Sequence, residues 1–278
     1  MIGLLTDSNA QLPAELGRRY SVEVVPLTVT VDDHDYEEGV DLDADAFYAR
    51  FEGGHRPRVA TSQPSPGRFA MAFDALAGRG AQEILAVHLG SALSGTINSA
   101  RVAAADSPVP VRIVDTGTAS FGVACCVWEA GEALARGAGL EEAAGAAEAV
   151  AATVRTVFTL AALDLARAGG RLRHAGGEDE AGAIPVLTMD GAEMRVVGQA
   201  PDLAAAADAM AAQVLAGGDA LRVGLGVADA GAAPLWRALE DRLVGAPTVR
   251  EVVRYRIGPS VGAHTGPGAA GAFYYPSR

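Results

Sequence analysis

Ile84-Leu85-Ala86-Val87-His88-Leu89, then Gly90-Ser91-Ala92-Leu93-Ser94-Gly95-Thr96, then helix-forming residues to Ala105 form the stretch that decides the fold. The apolar run has the length of a buried strand and is too short for a buried helix, and the small residues behind it make a turn. The same rhythm recurs on either side. Ile2 to Thr6 closes on Asp7 and Ser8 and leads to a helix-like stretch with Pro13 near its start, while Val111 to Val114 ends at Asp115 before a helical stretch from Ser120 to Arg136. Strands alternating with helices imply a mostly parallel sheet covered by helices on both faces. Ligands of such sheets sit beyond the carboxyl ends of the strands, so Asp7, Thr61 and Ser94 are expected to share one edge.

Further out, Val24 to Val31 reads as a second strand, and Asp32 to Asp45 as a solvated acidic connection ahead of the amphipathic segment Phe47 to Phe51. The second half changes character after an Ala/Glu-rich helix from about Leu140 to Val154. Thr156 to Leu160 precedes a Gly-rich patch at Gly169-Gly170-Arg171, and Ile184 to Met189 and Ala192 to Val197 flank Asp190-Gly191, a strong hairpin signal. A helix from Asp202, a strand Arg222 to Val227, a helix near Pro234 to Leu243 and a strand Val249 to Tyr255 follow. The expected fold class is α/β with two α/β domains. Residues 1–150 carry the mostly parallel sheet covered by helices, residues 151–278 a mixed sheet with a β-hairpin, and the ligand is expected between them.

Composition narrows the partners. The 278 residues are half hydrophobic, enough for one or two real cores, and carry 22 basic against 34 acidic side chains for a net charge of −12 and a pI near 4.8. Such a chain repels nucleic acid and has at most transient contact with anionic membrane surfaces. It contains no lysine, so every basic residue is arginine, and neither a Walker lysine nor a lysine Schiff base is available. The only cysteines, Cys125 and Cys126, are adjacent, which suits neither a mutual disulfide nor a zinc or redox spacing; they read as buried small residues. The acidic connection lacks calcium-loop spacing. With no disulfide framework, no secretory signal and no apolar run of about 18 residues, the expectation is a soluble, cytoplasmic protein without a bound metal.

Four segments have the residue types for binding. Thr61-Ser62-Gln63-Pro64-Ser65-Pro66 offers uncharged hydroxyl donors at a turn before a helix. Ser94-Gly95-Thr96 places a hydroxyl and unpaired backbone N–H groups at a helix N-terminus, where an anion is favoured. Gly262-Ala263-His264-Thr265-Gly266-Pro267-Gly268-Ala269-Ala270-Gly271 contains a formal G-x-G-x-x-G, but only seven residues follow it, too few for the helix of a dinucleotide motif; it reads as a Gly-rich turn presenting backbone donors beside an imidazole. Arg167, Arg171, Arg173 and His174 form a basic cluster in an acidic chain, either a solvated surface or a docking patch. The chain order Ser94, Asp115, His264 is also that of α/β-hydrolases, so a serine hydrolase acting on acyl esters is the alternative reading. Against it, G-x-S-x-G is absent, since Ala92 stands two residues before Ser94 and Leu89 two before Ser91.

Taken together and in order, Thr6-Asp7-Ser8, Thr61-Ser62-Gln63-Pro64-Ser65, Leu93-Ser94-Gly95-Thr96, Gly169-Gly170-Arg171 and Gly262-Ala263-His264-Thr265-Gly266-Pro267-Gly268 resemble the DegV family of fatty acid-binding proteins over essentially the whole chain. The resemblance implies two α/β domains enclosing one long-chain fatty acid, and no cofactor beyond that ligand. It further implies a non-catalytic carrier that presents the acid to a dihydroxyacetone-kinase-like fatty acid kinase, which makes the acyl phosphate. Carried over by position, Thr61, Ser62, Ser94, Gly95 and His264 would hold the carboxylate and Arg171 would face the kinase. Monomer is the expected state. The chain departs from the family pattern at Gly90, Ile97 and Ala183, where the family usually has serine, an aromatic and lysine, and in the polar run from Arg173 to Glu180.

Overall fold

The computed structural model describes residues 1–161, 182–191 and 193–277, which fall into two compact units. The first comprises Met1–Leu42 and Arg58–Ala152, the second Asp43–Pro57 with the chain from Thr153 onward. The units are therefore not contiguous in sequence: Asp43–Pro57, expected within the N-terminal domain, groups with the C-terminal half.

In the first unit, β1 (Ile2–Asp7), β2 (Glu23–Val25), β6 (Glu83–His88) and β7 (Val111–Asp115) form a sheet in the order β2-β1-β6-β7 with every pairing parallel. Residues Gly3 to Asp7 and Ile84 to His88 are buried without interruption, the pattern of central parallel strands covered on both faces. Leu5, Phe69, Phe73, Leu76, Ile84 and Ala86 share one apolar cluster that seats α3 (Pro66–Gly78) and α4 (Thr96–Ala104) on the sheet. Helices α5 (Phe121–Ala135) and α6 (Leu140–Ala151) also pack against the sheet. Cys125 and Cys126 are fully buried in α5, and burial pushes the Cys126 thiol far up, so it is an inert core group.

Two expectations change here. The run Val24 to Val31 is two strands, because Pro26 has no N–H to continue a ladder: β2 stays in the parallel sheet, whereas β3 (Thr28–Val31) joins β4 (His34–Glu37) and β5 (Val59–Ser62) in a separate antiparallel sheet of order β4-β3-β5. The acidic connection is likewise structured. Val31 pairs with His34 across Asp32-Asp33, both at positive φ (47° and 67°), as a two-residue hairpin turn of this hand requires. Farther on, Glu38 is buried and accepts hydrogen bonds from Ser8 Oγ (2.6 Å) and Gln11 Nε2 (3.1 Å), and Ser8 Oγ accepts from the Leu27 N–H (2.9 Å).

The second unit is built on a mixed six-stranded sheet of order β10-β9-β8-β13-β11-β12, comprising β8 (Arg155–Thr159), β9 (Ile184–Asp190), β10 (Glu193–Ala200), β11 (Leu221–Val227), β12 (Val249–Arg256) and β13 (Ala270–Pro276). Only β11 and β12 run parallel. The expected hairpin turns at Gly191, whose φ is 58°. Strand β13 was hidden in the sequence behind the glycines that precede it, yet it lies between β8 and β11, and Val157, Val223, Leu225 and Tyr274 meet α7 (Leu203–Leu215) and α8 (Ala233–Leu243) in one core.

A short helix, α9 (Pro259–Thr265), precedes β13, and the excursion Asp43–Pro57 supplies its neighbour, α2 (Ala44–Tyr48), capped by the Asp43 carboxylate, which accepts from the Ala46 N–H (2.8 Å). Phe47, fully buried, stacks edge-on with Tyr48 at 5.1 Å, and a Cβ on Gly262 would come within 2.7 Å of Phe47 Cε1 and Tyr48 Oη. Gly90 is held as closely in the first unit, where a Cβ would stand 2.7 Å from the Gly117 carbonyl carbon.

These two glycines give a direct test of the packing. Gly262→Ala and Gly90→Ala should each lower the free energy of unfolding by about 1–3 kcal/mol, read by urea titration, because buried aromatic rings in one case and backbone in the other must shift. The control Gly145→Ala, on an open face of α6, should be neutral or stabilising.

Candidate functional site

At the carboxyl edge of the parallel sheet, each strand end feeds a loop with polar side chains. Ser94 lies in the loop between β6 and α4: the Leu93 and Ser94 N–H groups donate to the Gly90 carbonyl (2.9 and 3.2 Å), which folds the loop into a turn. Ser94 Oγ is 2.9 Å from Thr96 Oγ1 and also accepts from the Thr96 N–H (3.3 Å). Gly95 occupies the N-cap position of α4 without any side-chain cap. Its carbonyl accepts the Ser99 N–H, and among the described residues its own N–H has no partner. A half-buried hydroxyl and an open N–H at the positive end of a nine-residue helix make a receiver for a small anion.

Thr61 and Ser62 stand elsewhere than expected. They end β5 in the antiparallel sheet and so are not on the parallel sheet's own edge with Asp7 and Ser94. What brings this segment to the loop is Gln63, since a Cβ at Gly95 would come 3.1 Å from Gln63 Nε2. Any larger residue at 95 would have to displace the Gln63 side chain. Ser65 caps α3 by accepting from the Arg68 N–H (3.3 Å), and Pro66 occupies the first turn.

Asp115 braces the same loop. Its Oδ1 accepts from the Ser91 N–H (3.1 Å) and the Gly117 N–H (3.0 Å), and the Gly90 N–H donates to the Thr118 carbonyl (2.7 Å). Partial burial pushes its acidity one way, but hydrogen bonds from Ser91 and Gly117 and the charge of Arg101 outweigh it and hold the carboxyl below the usual range. A triad acid must orient an imidazole; Asp115 is instead committed to loop amides, so its geometry does not support the hydrolase alternative through Ser94, Asp115 and His264.

His264 belongs to the second unit and sits half-buried in the last turn of α9, not in a Gly-rich turn as the sequence suggested. The turn itself begins at Gly266 (φ 71°), and Gly268 (φ 80°) donates its N–H to Asp229 Oδ1 (3.1 Å), which also accepts from the Ala232 N–H (3.0 Å) just ahead of α8. Arg171, with Arg167, Arg173, His174 and the polar run to Glu180, lies outside the described residues.

Asp7 stands at this edge as expected, in a buried polar network whose other members, Asn9 and His88, no motif announced. Asp7, at the end of β1, is fully buried; its Oδ1 accepts from the Asn9 N–H (3.1 Å) and its Oδ2 from His88 Nδ1–H (2.9 Å) and the Leu89 N–H (3.1 Å). Asn9 Oδ1 in turn accepts from the Ser120 N–H (2.9 Å), where Ser120 holds a positive φ of 56° at the start of α5. The available signal was a single histidine closing an otherwise apolar strand. No group of three or more His, Cys, Asp or Glu side chains placed to hold a metal occurs among the described residues, and no helix there is long and apolar enough to cross a membrane.

Comparison with known proteins places this architecture. The family model described as "Uncharacterised protein, DegV family" matches residues 1–277. A DegV domain-containing protein of Streptomyces coelicolor is 34% identical over 276 residues, covering 97% of this chain and 96% of that one. Among solved structures, a DegV family protein from Thermus thermophilus, described for its fatty acid binding, superposes with a TM-score of 0.85 at 30% identity over 99% of both chains. A DegV lipid binding protein from Thermotoga maritima gives 0.86 at 25% identity, covering 99% of this chain and 98% of that one. The fold thus has full-length counterparts among solved structures, and the chain belongs to the DegV family.

Proposed function

We propose that this protein binds a long-chain fatty acid and presents its carboxylate to a dihydroxyacetone-kinase-like fatty acid kinase for conversion to the acyl phosphate. The observation that carries the binding half is the full-length likeness, at 30% identity, to the Thermus thermophilus protein described for fatty acid binding. The loop at the carboxyl edge supports it chemically, with Ser94 and Gly95 offering a hydroxyl and an open N–H, and Thr61 and Ser62 on the adjoining segment.

Magnitudes divide the labour between tail and head. Burying a tail of about 15 methylenes at about 0.8 kcal/mol each contributes on the order of 12 kcal/mol gross, whereas each hydrogen bond to the carboxylate nets about 1.5–3 kcal/mol. The tail supplies affinity and the head sets orientation. Neutral donors suit a carboxylate that must later attack a phosphoryl group, since a bidentate arginine would stabilise its charge and lower its nucleophilicity. Arg68, the arginine following the Thr61–Pro66 segment, is paired with Glu37. In this reading the chain is a non-catalytic carrier acting as a monomer in the cytoplasm, needs no cofactor, and docks the kinase through Arg171.

Titration with oleic acid should show one site per chain. Ser94→Ala and Thr61→Val should each weaken binding about tenfold, the worth of one charge-assisted hydrogen bond, without lowering thermal stability by more than a few degrees. His264→Gln tests the expected contribution of that imidazole on its own and should also weaken binding. Absence of binding by the unaltered protein would refute the carrier reading, and turnover of an activated acyl ester that disappears in Ser94→Ala would establish the hydrolase instead.

A further inference from the structure

Beneath the Ser94 loop lies a buried ionisable pair that the carrier reading does not use. Asp7 and His88 are both 0% exposed, one ending β1 and the other ending the neighbouring strand β6. A carboxylate out of contact with water is costly unless donors surround it, and Asp7 has three: His88 Nδ1–H, the Leu89 N–H and the Asn9 N–H. The acceptor character of the carboxylate fixes the proton of His88 on Nδ1. Nε2 at the far side of the ring is buried without a partner among the described residues, and the ring lies edge-on to Phe69 at 5.1 Å. An apolar residue would fill that space without orphaning an atom, so what the imidazole contributes is its single N–H at Asp7.

That N–H acts at the root of the head-group loop. Leu89, held by Asp7, is the loop's first residue; Gly90 is tied to Thr118, and the Gly90 carbonyl accepts from Leu93 and Ser94. The His88 carbonyl itself accepts from Thr116 Oγ1 (2.8 Å) and the Thr116 N–H (3.2 Å), locking the strand end to the next loop. The Leu89 N–H bond to Asp7 and the Ser94 N–H bond to the Gly90 carbonyl, joined by the Leu89–Gly90 peptide bond, therefore connect the buried carboxylate to Ser94. We propose that Asp7 and His88 are a positioning pair that sets the Ser94–Gly95 donors to the geometry of a carboxylate. The identity of the ligand rests on the fatty acid reading above; the control of the loop rests on these bonds alone.

The test compares the full-length protein with Asp7→Asn, His88→Leu and His88→Asn. Asparagine at 88 carries an N–H close to the position of Nδ1–H, whereas leucine carries none. Affinities for oleic acid and for oleyl alcohol, both supplied from cyclodextrin, separate head from tail, and amide hydrogen exchange reports the loop without any ligand. Asp7→Asn and His88→Leu should weaken oleic acid about tenfold and oleyl alcohol less than about twofold, His88→Asn should return the acid to within about threefold of the unaltered protein, and exchange should quicken across Leu89–Thr96 alone. Equal losses for acid and alcohol would show a purely structural pair and overturn the proposal, as would unchanged acid affinity with unchanged exchange. If Asp7→Asn fails to fold, the two His88 variants decide. Should the unaltered protein bind neither lipid, the carrier reading fails, and exchange still decides this one: quickened loop amides in His88→Leu, restored in His88→Asn, support it, and unaltered amides refute it.

Discussion

Asp7 carries a carboxylate into a place without water, and the parallel-sheet unit is arranged around the donors that make this tolerable. Stripping such a group of its partners costs several kcal/mol, so the three N–H groups that surround it are constraints on the chain and not embellishments. Each comes from a different stretch: the loop after β1, the side chain that ends β6, and the first amide of the loop beyond β6. Asn9 extends the network to the start of α5, and Asp115 repeats the device on the next strand, holding Ser91 and Gly117. The edge where ligands collect in parallel sheets is thus rigid by hydrogen bonding, although its residues are irregular in backbone.

A rigid edge built this way has consequences for the side chains it presents. Ser94 and Gly95 offer neutral donors on a fixed turn, and the macrodipole of α4 adds partial positive charge without any cation. In a protein with 34 acidic residues and no lysine, placing no arginine in this loop keeps an anion weakly held at the head. The glycines serve the same end by allowing close approach: Gly90 lies against Gly117, and Gly95 against Gln63. In the second unit Gly262 lets α9 pack onto Phe47 and Tyr48, and Asp229 ties Gly268 to the start of α8, so His264 too stands on a supported element.

Much of this was legible from periodicity. The strand-turn-helix rhythm at Ile84–Ala105, the Asp190-Gly191 hairpin and the Ser65-Pro66 helix start all read correctly, because burial on both faces, positive φ and N-capping each leave a local mark. Features fixed by distant partners did not. Pro26 divides one apolar run between two sheets, and only the positions of β1 and β5 decide which half goes where. Asp32-Asp33 makes a tight hairpin where the charge suggested a loop, since both side chains stay exposed while Val31 pairs with His34. Strand β13 is preceded by glycines that signal a turn, yet it pairs on both sides, with β11 and with β8. The excursion Asp43–Pro57 leaves its neighbours in sequence to join α9 by aromatic packing that no local pattern announces. At the candidate site, Ser94, Gly95 and Asp7 were found by their motifs, whereas His88 was not, because its pairing with Asp7 arises only when β1 and β6 lie side by side.

The proposed function requires that this chain carry a fatty acid in its native state. Solvent extraction of the purified, denatured protein followed by mass spectrometry reads that state directly. The account predicts about one long-chain acid per chain, with a narrow range of tail lengths, since burial of about 15 methylenes on the order of 0.8 kcal/mol each makes loss during purification slow. An extract without fatty acid, from protein that also takes up none when oleic or palmitic acid is supplied, would contradict it.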